Sequence, residues 1–162
     1  DSGKRSAARL LTTLYATVEI PKAVFNEVNA REQPDTEAIR QWRHRQDIPV
    51  QEPSDASLHR LPEELGDGER EALALAVERD ADLVVLDDQE GRRVAKQRGL
   101  SVTGTIGVLV EARATGQIDS LRRERSDQVL YGVRGELDRV LEAGLWISES
   151  FYERLLQEFG EL

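Results

Sequence analysis

The sequence contains no cysteine and no methionine, and only 5% of its residues are aromatic. The lack of cysteine excludes disulfides, thiolate metal ligands and cysteine nucleophiles, and it fits a reducing cytoplasm. Because methionine is absent, we expect that Asp1 is not the first residue of the translated product. No apolar run approaches the roughly 20 residues that a membrane-spanning helix needs. Together these absences predict a cytoplasmic protein that does not associate with membranes.

Charge is abundant in the chain, with 33% charged residues and a formal net charge of −9. A hydrophobic fraction of 39% over 162 residues is typical of one globular domain rather than of a disordered chain. The negative net charge disfavours a broad electrostatic contact with nucleic acid, because phosphates repel carboxylates. Acids gathered around a divalent cation are an exception, since the cation reverses the local charge.

Apolar periodicity alternates between the patterns of helices and strands. Helices are predicted over 6–15, after Pro21, and over 36–45, 69–79, 90–98 and 106–115, and strands over 16–20, 48–50, 83–86 and 100–103. The helix segment Ala72–Val77 is apolar on every side, and the strand at 83–86 is continuously apolar, which predicts burial on all faces. The alternation predicts an α/β fold with a mainly parallel sheet.

The last quarter of the chain predicts two more helices. A charged helix is expected from about 119 to 142, and a final amphipathic helix carries Phe151, Leu155 and Phe159. These three side chains suit either a core or a subunit interface.

Three acids stand at the ends of predicted elements: Glu27, Glu71 and Asp88. Mg²⁺ and Mn²⁺ prefer oxygen ligands, so a few carboxylates from different elements suffice for a site that supports phosphodiester hydrolysis. Each acid also has a plainer interpretation. Glu27 suits a solvated helix face, Glu71 suits a helix amino terminus, and Asp88 suits a helix cap. The pattern alone leaves both interpretations open.

Several segments resemble a prokaryotic branch of the PIN-domain family in order and spacing. They are Gly68–Ala76 (GEREALALA), Leu83–Ala95 (LVVLDDQEGRRVA), Gly99–Leu109 (GLSVTGTIGVL), Ile20–Val28 (IPKAVFNEV) and the ending Ala143–Ser148 (AGLWIS) followed by Phe151 and Tyr152. The resemblance therefore covers nearly the whole chain. It implies a single three-layer α/β/α PIN-like domain over 1–162, with a parallel sheet of four or five strands and a helical extension from about 119.

The same resemblance implies a chemistry, an endoribonuclease that requires Mg²⁺ or Mn²⁺. Carried over by motif, the metal ligands and catalytic residues are Glu27, Glu71 and Asp88, with Glu69, Asp87 and Glu90 as neighbouring candidates. The family's first acid ends an initial strand that precedes the helix at 6–15. No such strand is expected in this sequence, and Asp1 is not counted as that acid.

The resemblance extends to the toxin ribonucleases of VapBC-type toxin-antitoxin pairs, which implies an RNA substrate, an antitoxin partner and a homodimer. Arg92, Arg93 and Lys96 follow the predicted acidic edge and are expected to contact an RNA backbone. A non-catalytic nucleic-acid-binding or protein-binding module of the same fold is the main alternative, favoured by the missing first acid and the negative charge. A phosphotransfer receiver is disfavoured, because no strand after Asp88 ends in Asp or Lys.

Overall fold

A computed structural model describes residues 8–31 and 36–116, together with positions 153 and 157. The chain divides into two compact units, residues 1–104 and 105–162. The first unit contains, in chain order, α1 (Ala8–Leu14), β1 (Ile20–Pro21), α2 (Lys22–Ala30), α3 (Thr36–Arg45), β2 (Val50–Gln51), α4 (Asp55–Leu58), α5 (Asp67–Glu78), β3 (Val84–Val85), α6 (Gln89–Gln97) and β4 (Val102–Thr103). Helix α7 (Thr105–Ala114) is the described element of the second unit.

The predicted α/β class and parallel pairing are confirmed, but the described strands are short. β1 pairs with β2 and β3 pairs with β4, both in parallel, with Ile20 opposite Val50 and Val84 opposite Val102. Within the described ranges these form two separate two-stranded sheets. The expected four- or five-stranded sheet is thus seen only as these two pairs. Of the predicted strand 16–20 only Ile20 belongs to β1, which ends at Pro21.

Three helix-to-strand connections share one backbone design. After α3, α5 and α6 the chain passes through a residue with positive φ: Asp47 at 50°, Asp80 at 50° and Gly99 at 72°. In each case the next amide donates back to a carbonyl in the last turn of the helix, as Leu100 does to Ala95 at 2.9 Å. These are Schellman endings, which satisfy terminal carbonyls and reverse the chain within a few residues. They place each helix end beside the start of the following strand.

The core of the first unit lies between α5, β3 and α6. Its buried residues are Leu61, Leu65, Leu73, Ala74, Ala76, Val84, Leu86, Val94 and Ala95. Two predicted burials are wrong, since Val77 is 48% exposed and Val85 is 39% exposed. α5 packs on one face rather than around its whole circumference, and successive residues of β3 face opposite sides of the strand pair, so Val77 and Val85 remain in solvent.

Helix α4 is absent from the sequence prediction, which assigned its residues to a loop. Ser54 is its N-cap, accepting a hydrogen bond from the Ser57 amide at 3.3 Å. Four residues are too few for an apolar period to show. In the part of the chain that the structure describes, no helix is long and apolar enough to cross a membrane. The helices predicted beyond residue 119, with Phe151, Leu155 and Phe159, lie outside the described residues except for positions 153 and 157, which are helical.

Candidate functional site

Helices α2 and α5 approach each other closely at Gly68. A β-carbon added to Gly68 would lie 3.1 Å from Oε1 of Glu27 and 3.2 Å from Cγ2 of Val24. Both neighbours are on α2, and Gly68 lies in the first turn of α5. The missing side chain therefore lets the Glu27 carboxyl group lie against the amino-terminal turn of α5. Glu27 itself is exposed.

Glu71, three residues after Gly68 on α5, contacts the first turn of α2. Its Oε2 accepts a hydrogen bond of 2.7 Å from the Ala23 amide, across 48 residues of sequence. Ala23 is in the first turn of α2, where amides have no partner within the helix, and the N-cap residue Pro21 provides no side-chain acceptor. Glu71 thus caps α2 from another helix. A carboxylate is well suited to this position, since the amino terminus of a helix carries partial positive charge.

Glu27 and Glu71 line one open cleft of about 380 Å³. Two further acids, Glu52 and Asp67, and two bases, Lys22 and Arg70, also line it. Four carboxylates against two cations leave the lining with a negative formal charge. Lys22 forms an ion pair with Glu52 at 3.0 Å, and Arg70 donates from Nη2 to the Leu58 carbonyl at 3.1 Å. The cleft is therefore acidic on balance, with its lysine already paired.

Asp88 does not line that cleft. It follows β3, and its Oδ2 accepts a 2.7 Å hydrogen bond from the Gly91 amide, which makes it the N-cap of α6. A β-carbon on Gly91 would lie 3.4 Å from Oδ2 of Asp88 and 3.5 Å from Cγ of Glu69. Asp88 and Glu69 therefore both border Gly91. Glu27 thus borders Gly68 of α5, Glu71 lies on α5 itself, and Asp88 reaches the same helix only through Gly91, which Glu69 of α5 also borders.

The carboxylates at these positions can be compared with the requirements of a divalent cation. The donor chemistry fits Mg²⁺ or Mn²⁺, because carboxylate oxygens are the ligands that these ions prefer. The arrangement is less complete. Within residues 8–31 and 36–116 no group of three or more acids or histidines is placed to hold a metal ion. Glu27 and Glu71 share a cleft, whereas Asp88 and the neighbouring candidates Asp87 and Glu90 are outside it.

The predicted basic residues on α6 differ in their engagement. Arg93 is bound by both carboxylate oxygens of Glu90, from Nε at 2.9 Å and through a second short contact from Nη2. This pairing lowers the pKa of Glu90 and raises the pKa of Arg93. Arg92 is half-buried beside Gly104, and Lys96 is exposed. Glu90 therefore neutralises Arg93, whereas Arg92 remains at the end of the strand pair.

Sequence reasoning missed Asp67, Glu52 and Arg70 as lining residues of the cleft. Asp67 lies four residues before Glu71 and three before Arg70, so this helical spacing was the available signal. Glu52 follows β2, and no local pattern links it to α2. The two histidines, His44 and His59, are exposed and do not line the cleft.

Comparison with known proteins gives one family match. A family model described as a PIN domain matches residues 4–161. No curated protein and no solved structure matches the chain.

Proposed function

This chain belongs to the PIN-domain family, and from that premise we propose that it is a metal-dependent endoribonuclease. PIN domains are typically nucleases that depend on metal. The observation that carries the proposal is the cleft that Glu27 and Glu71 share, with Asp88 beside Gly91, which Glu69 of α5 also borders. Carboxylates are the donors that a nuclease of this kind requires.

In this proposal Glu27, Glu71 and Asp88 bind Mg²⁺ or Mn²⁺, with Glu69, Asp87 and Glu90 nearby. A bound divalent cation supplies charge stabilisation at phosphate and lowers the pKa of water. The protein's own contribution is positional. Gly68 lets Glu27 lie against α5, and the Ala23 amide holds one oxygen of Glu71, which leaves the other oxygen for the cleft.

The test is cleavage of a mixed pool of structured and single-stranded RNA with Mn²⁺, with Mg²⁺ and with EDTA. Glu71→Gln and Asp88→Asn are the informative variants, because amide oxygens still accept the Ala23 and Gly91 hydrogen bonds while the negative charges are removed. Glu78→Gln, on the last turn of α5, is the matched control. We expect metal-dependent cleavage that both site variants abolish and the control retains. A folded protein that cuts no RNA with either metal would refute the proposal.

A non-catalytic binding module of the same fold is the second candidate. It is favoured by the absence, within the described ranges, of three acids placed to hold a metal, and by the helix caps that occupy Glu71 and Asp88. Metal titration separates the candidates. A nuclease should bind Mn²⁺ with an affinity that falls in Glu71→Gln, whereas a binding module should bind RNA or protein equally in both proteins.

The remaining family features are part of the same proposal. We infer one PIN-like domain over 1–162 that acts in the cytoplasm as the toxin of a toxin-antitoxin pair, is silenced by an antitoxin and pairs into a homodimer. Co-expression with a protein encoded by a neighbouring gene tests the first partner, and sedimentation tests the second. A monomer whose expression leaves cell growth unaffected without any partner would contradict both.

A further inference from the structure

The carboxyl ends of β3 and β4 form a second chemically distinctive place in the first unit. Gly104 directly follows β4, and Asp87 follows Leu86, whose amide donates to the Thr103 carbonyl at 2.8 Å. Asp87 and Gly104 are therefore neighbours at the same edge of a parallel strand pair. In open α/β folds ligands bind beyond the carboxyl ends of parallel strands.

Gly104 leaves space that two charged side chains occupy. A β-carbon at this position would lie 2.6 Å from Nη1 of Arg92, 2.8 Å from Oδ1 of Asp87 and 3.4 Å from the Leu86 carbonyl oxygen. The backbone does not require glycine here, since the positive φ angles among described glycines belong to Gly99 and Gly116. The reason for glycine at 104 is thus the close approach of the Arg92 guanidinium and the Asp87 carboxylate.

Arg92 differs from its neighbour Arg93 in charge balance. Glu90 holds Arg93 through two hydrogen bonds. The ion pairs formed within residues 8–31 and 36–116 do not include Arg92. Arg92 is nevertheless half-buried and directed to the strand ends, whereas the Arg93 side chain is 54% exposed. A guanidinium that forms no ion pair within the described residues and lies over Gly104 presents several donors in a planar fork, which matches the oxygens of a phosphate.

We propose that Arg92, held over Gly104 beside Asp87, binds a single backbone phosphate of an RNA strand that crosses the carboxyl ends of β3 and β4. The identity of the ligand as RNA rests on the proposed function, whereas the anion site rests on the geometry of Arg92 and Gly104. Asp87 acts as a positioning residue, because its negative charge favours the guanidinium at this edge. Gly104 acts by leaving room for both side chains.

The test measures binding of a fluorescently labelled single-stranded oligoribonucleotide by anisotropy, over a series of salt concentrations in EDTA and again in Mg²⁺. Arg92→Ala should weaken binding on the order of tenfold, the value of one charge-assisted contact. It should also reduce the slope of log affinity against log salt by about 0.7, the value for one phosphate of a single strand. Arg45→Ala, the matched control on the last turn of α3, removes one exposed arginine charge that is not at the β3–β4 edge and should change affinity by less than about twofold.

Gly104→Ala is the decisive variant, since it leaves the charge of the protein unchanged. Its added methyl group would meet the ends of two flexible side chains, so we expect the fold to persist and the guanidinium to be displaced. The salt slope should fall as in Arg92→Ala, and the double variant should bind no more weakly than Arg92→Ala alone. Thermal unfolding of Gly104→Ala checks that the protein is folded.

An Arg92→Ala protein with wild-type affinity and salt slope would overturn the inference, as would additive effects of Gly104→Ala and Arg92→Ala. A wild-type protein that fails to bind the oligoribonucleotide in both EDTA and Mg²⁺ would overturn it as well. RNA that is bound through Arg92 but never cut would refute the nuclease and support this site.

Discussion

Two carboxylates in this protein each cap the amino terminus of a helix, one from a distant part of the sequence and one from the adjacent residue. Glu71 accepts the Ala23 amide at 2.7 Å, and Asp88 accepts the Gly91 amide at 2.7 Å. Each contact satisfies an amide in the first turn of a helix. Asp88 is three residues from its donor, whereas Glu71 is 48 residues from its donor. Helix α6 therefore carries its own cap, and helix α2 depends on α5 for one.

The difference shows how the two sides of the candidate site are held. Around α6 the cap Asp88 and the pair of Glu90 and Arg93 come from one short segment, so their contacts do not depend on another helix. At α2 the cap exists only when α5 is packed against the helix, and Gly68 sets how closely that packing occurs. We therefore expect substitutions at the α2–α5 contact to reduce stability and site geometry together, and substitutions at α6 to act locally.

The largest expected effect is at Gly68. Gly68→Leu adds a side chain whose first atom already meets Glu27 and Val24 at 3.1 and 3.2 Å, so α2 must shift. We expect the free energy of unfolding in urea to fall by about 1–3 kcal/mol, the usual cost of overpacking. At Gly91 the nearest contacts of an added β-carbon are ordinary at 3.4 and 3.5 Å. Gly91→Ala should therefore gain about 0.5–1 kcal/mol of helix stability. Equal changes in the free energy of unfolding for the two variants would disprove the difference in packing between Gly68 and Gly91.

The next effect is at Glu71. Glu71→Ala removes the cap of α2, and we expect a loss of about 1–2 kcal/mol in the free energy of unfolding. Glu71→Gln keeps an oxygen acceptor and should lose only a few tenths of a kcal/mol. Hydrogen exchange should accelerate at the Ala23 amide and along α2 in the alanine variant alone. Unchanged exchange at Ala23 in Glu71→Ala would show that the long-range cap contributes nothing.

Asp88→Ala should have a smaller and more local effect. The cost of removing an N-cap is about 1 kcal/mol, and Asp88→Asn should cost almost nothing because asparagine caps equally well. Faster hydrogen exchange is expected at Gly91 and not at Ala23. If α2 also exchanged faster, the two sides of the site would be coupled, and the separation of local from long-range caps would be wrong.

The smallest effect is expected from the exposed pair of Glu90 and Arg93. The hydrogen bond from Arg93 lowers the pKa of Glu90 from its ordinary value of 4.5. A lowered pKa contributes stability that is present above pH 4.5 and is lost as the pH falls through the lowered value. Arg93→Gln should therefore make unfolding slightly less sensitive to acid, as a pH series of thermal denaturation measures. If the melting temperatures of Arg93→Gln and the wild-type protein fell equally at acid pH, solvent would screen the pair completely.

Much of the fold was predictable because the relevant signals are local. Helix α3 has its predicted limits, 36 and 45, and α5, α6 and α7 each differ from their predicted limits by two residues or fewer. Asp88 as a cap was one of the two interpretations that the sequence allowed. In contrast, α4 was too short for a periodic signal, and the exposure of Val77 and Val85 depends on which face of each element another element covers.

The candidate site divides along the same line. The sequence by itself determined the longer helices α3, α5, α6 and α7, the parallel pairing of strands, and acids at the ends of elements, since propensity, periodicity and capping act over a few residues. Only the tertiary structure decided that Glu27 and Glu71 share a cleft, that Glu71 caps α2, and that Arg92 lies over Gly104. The physical reason is that a cap or a close approach can be satisfied by any segment that packing brings within hydrogen-bond distance. The distance between two residues in the sequence therefore does not predict such a contact.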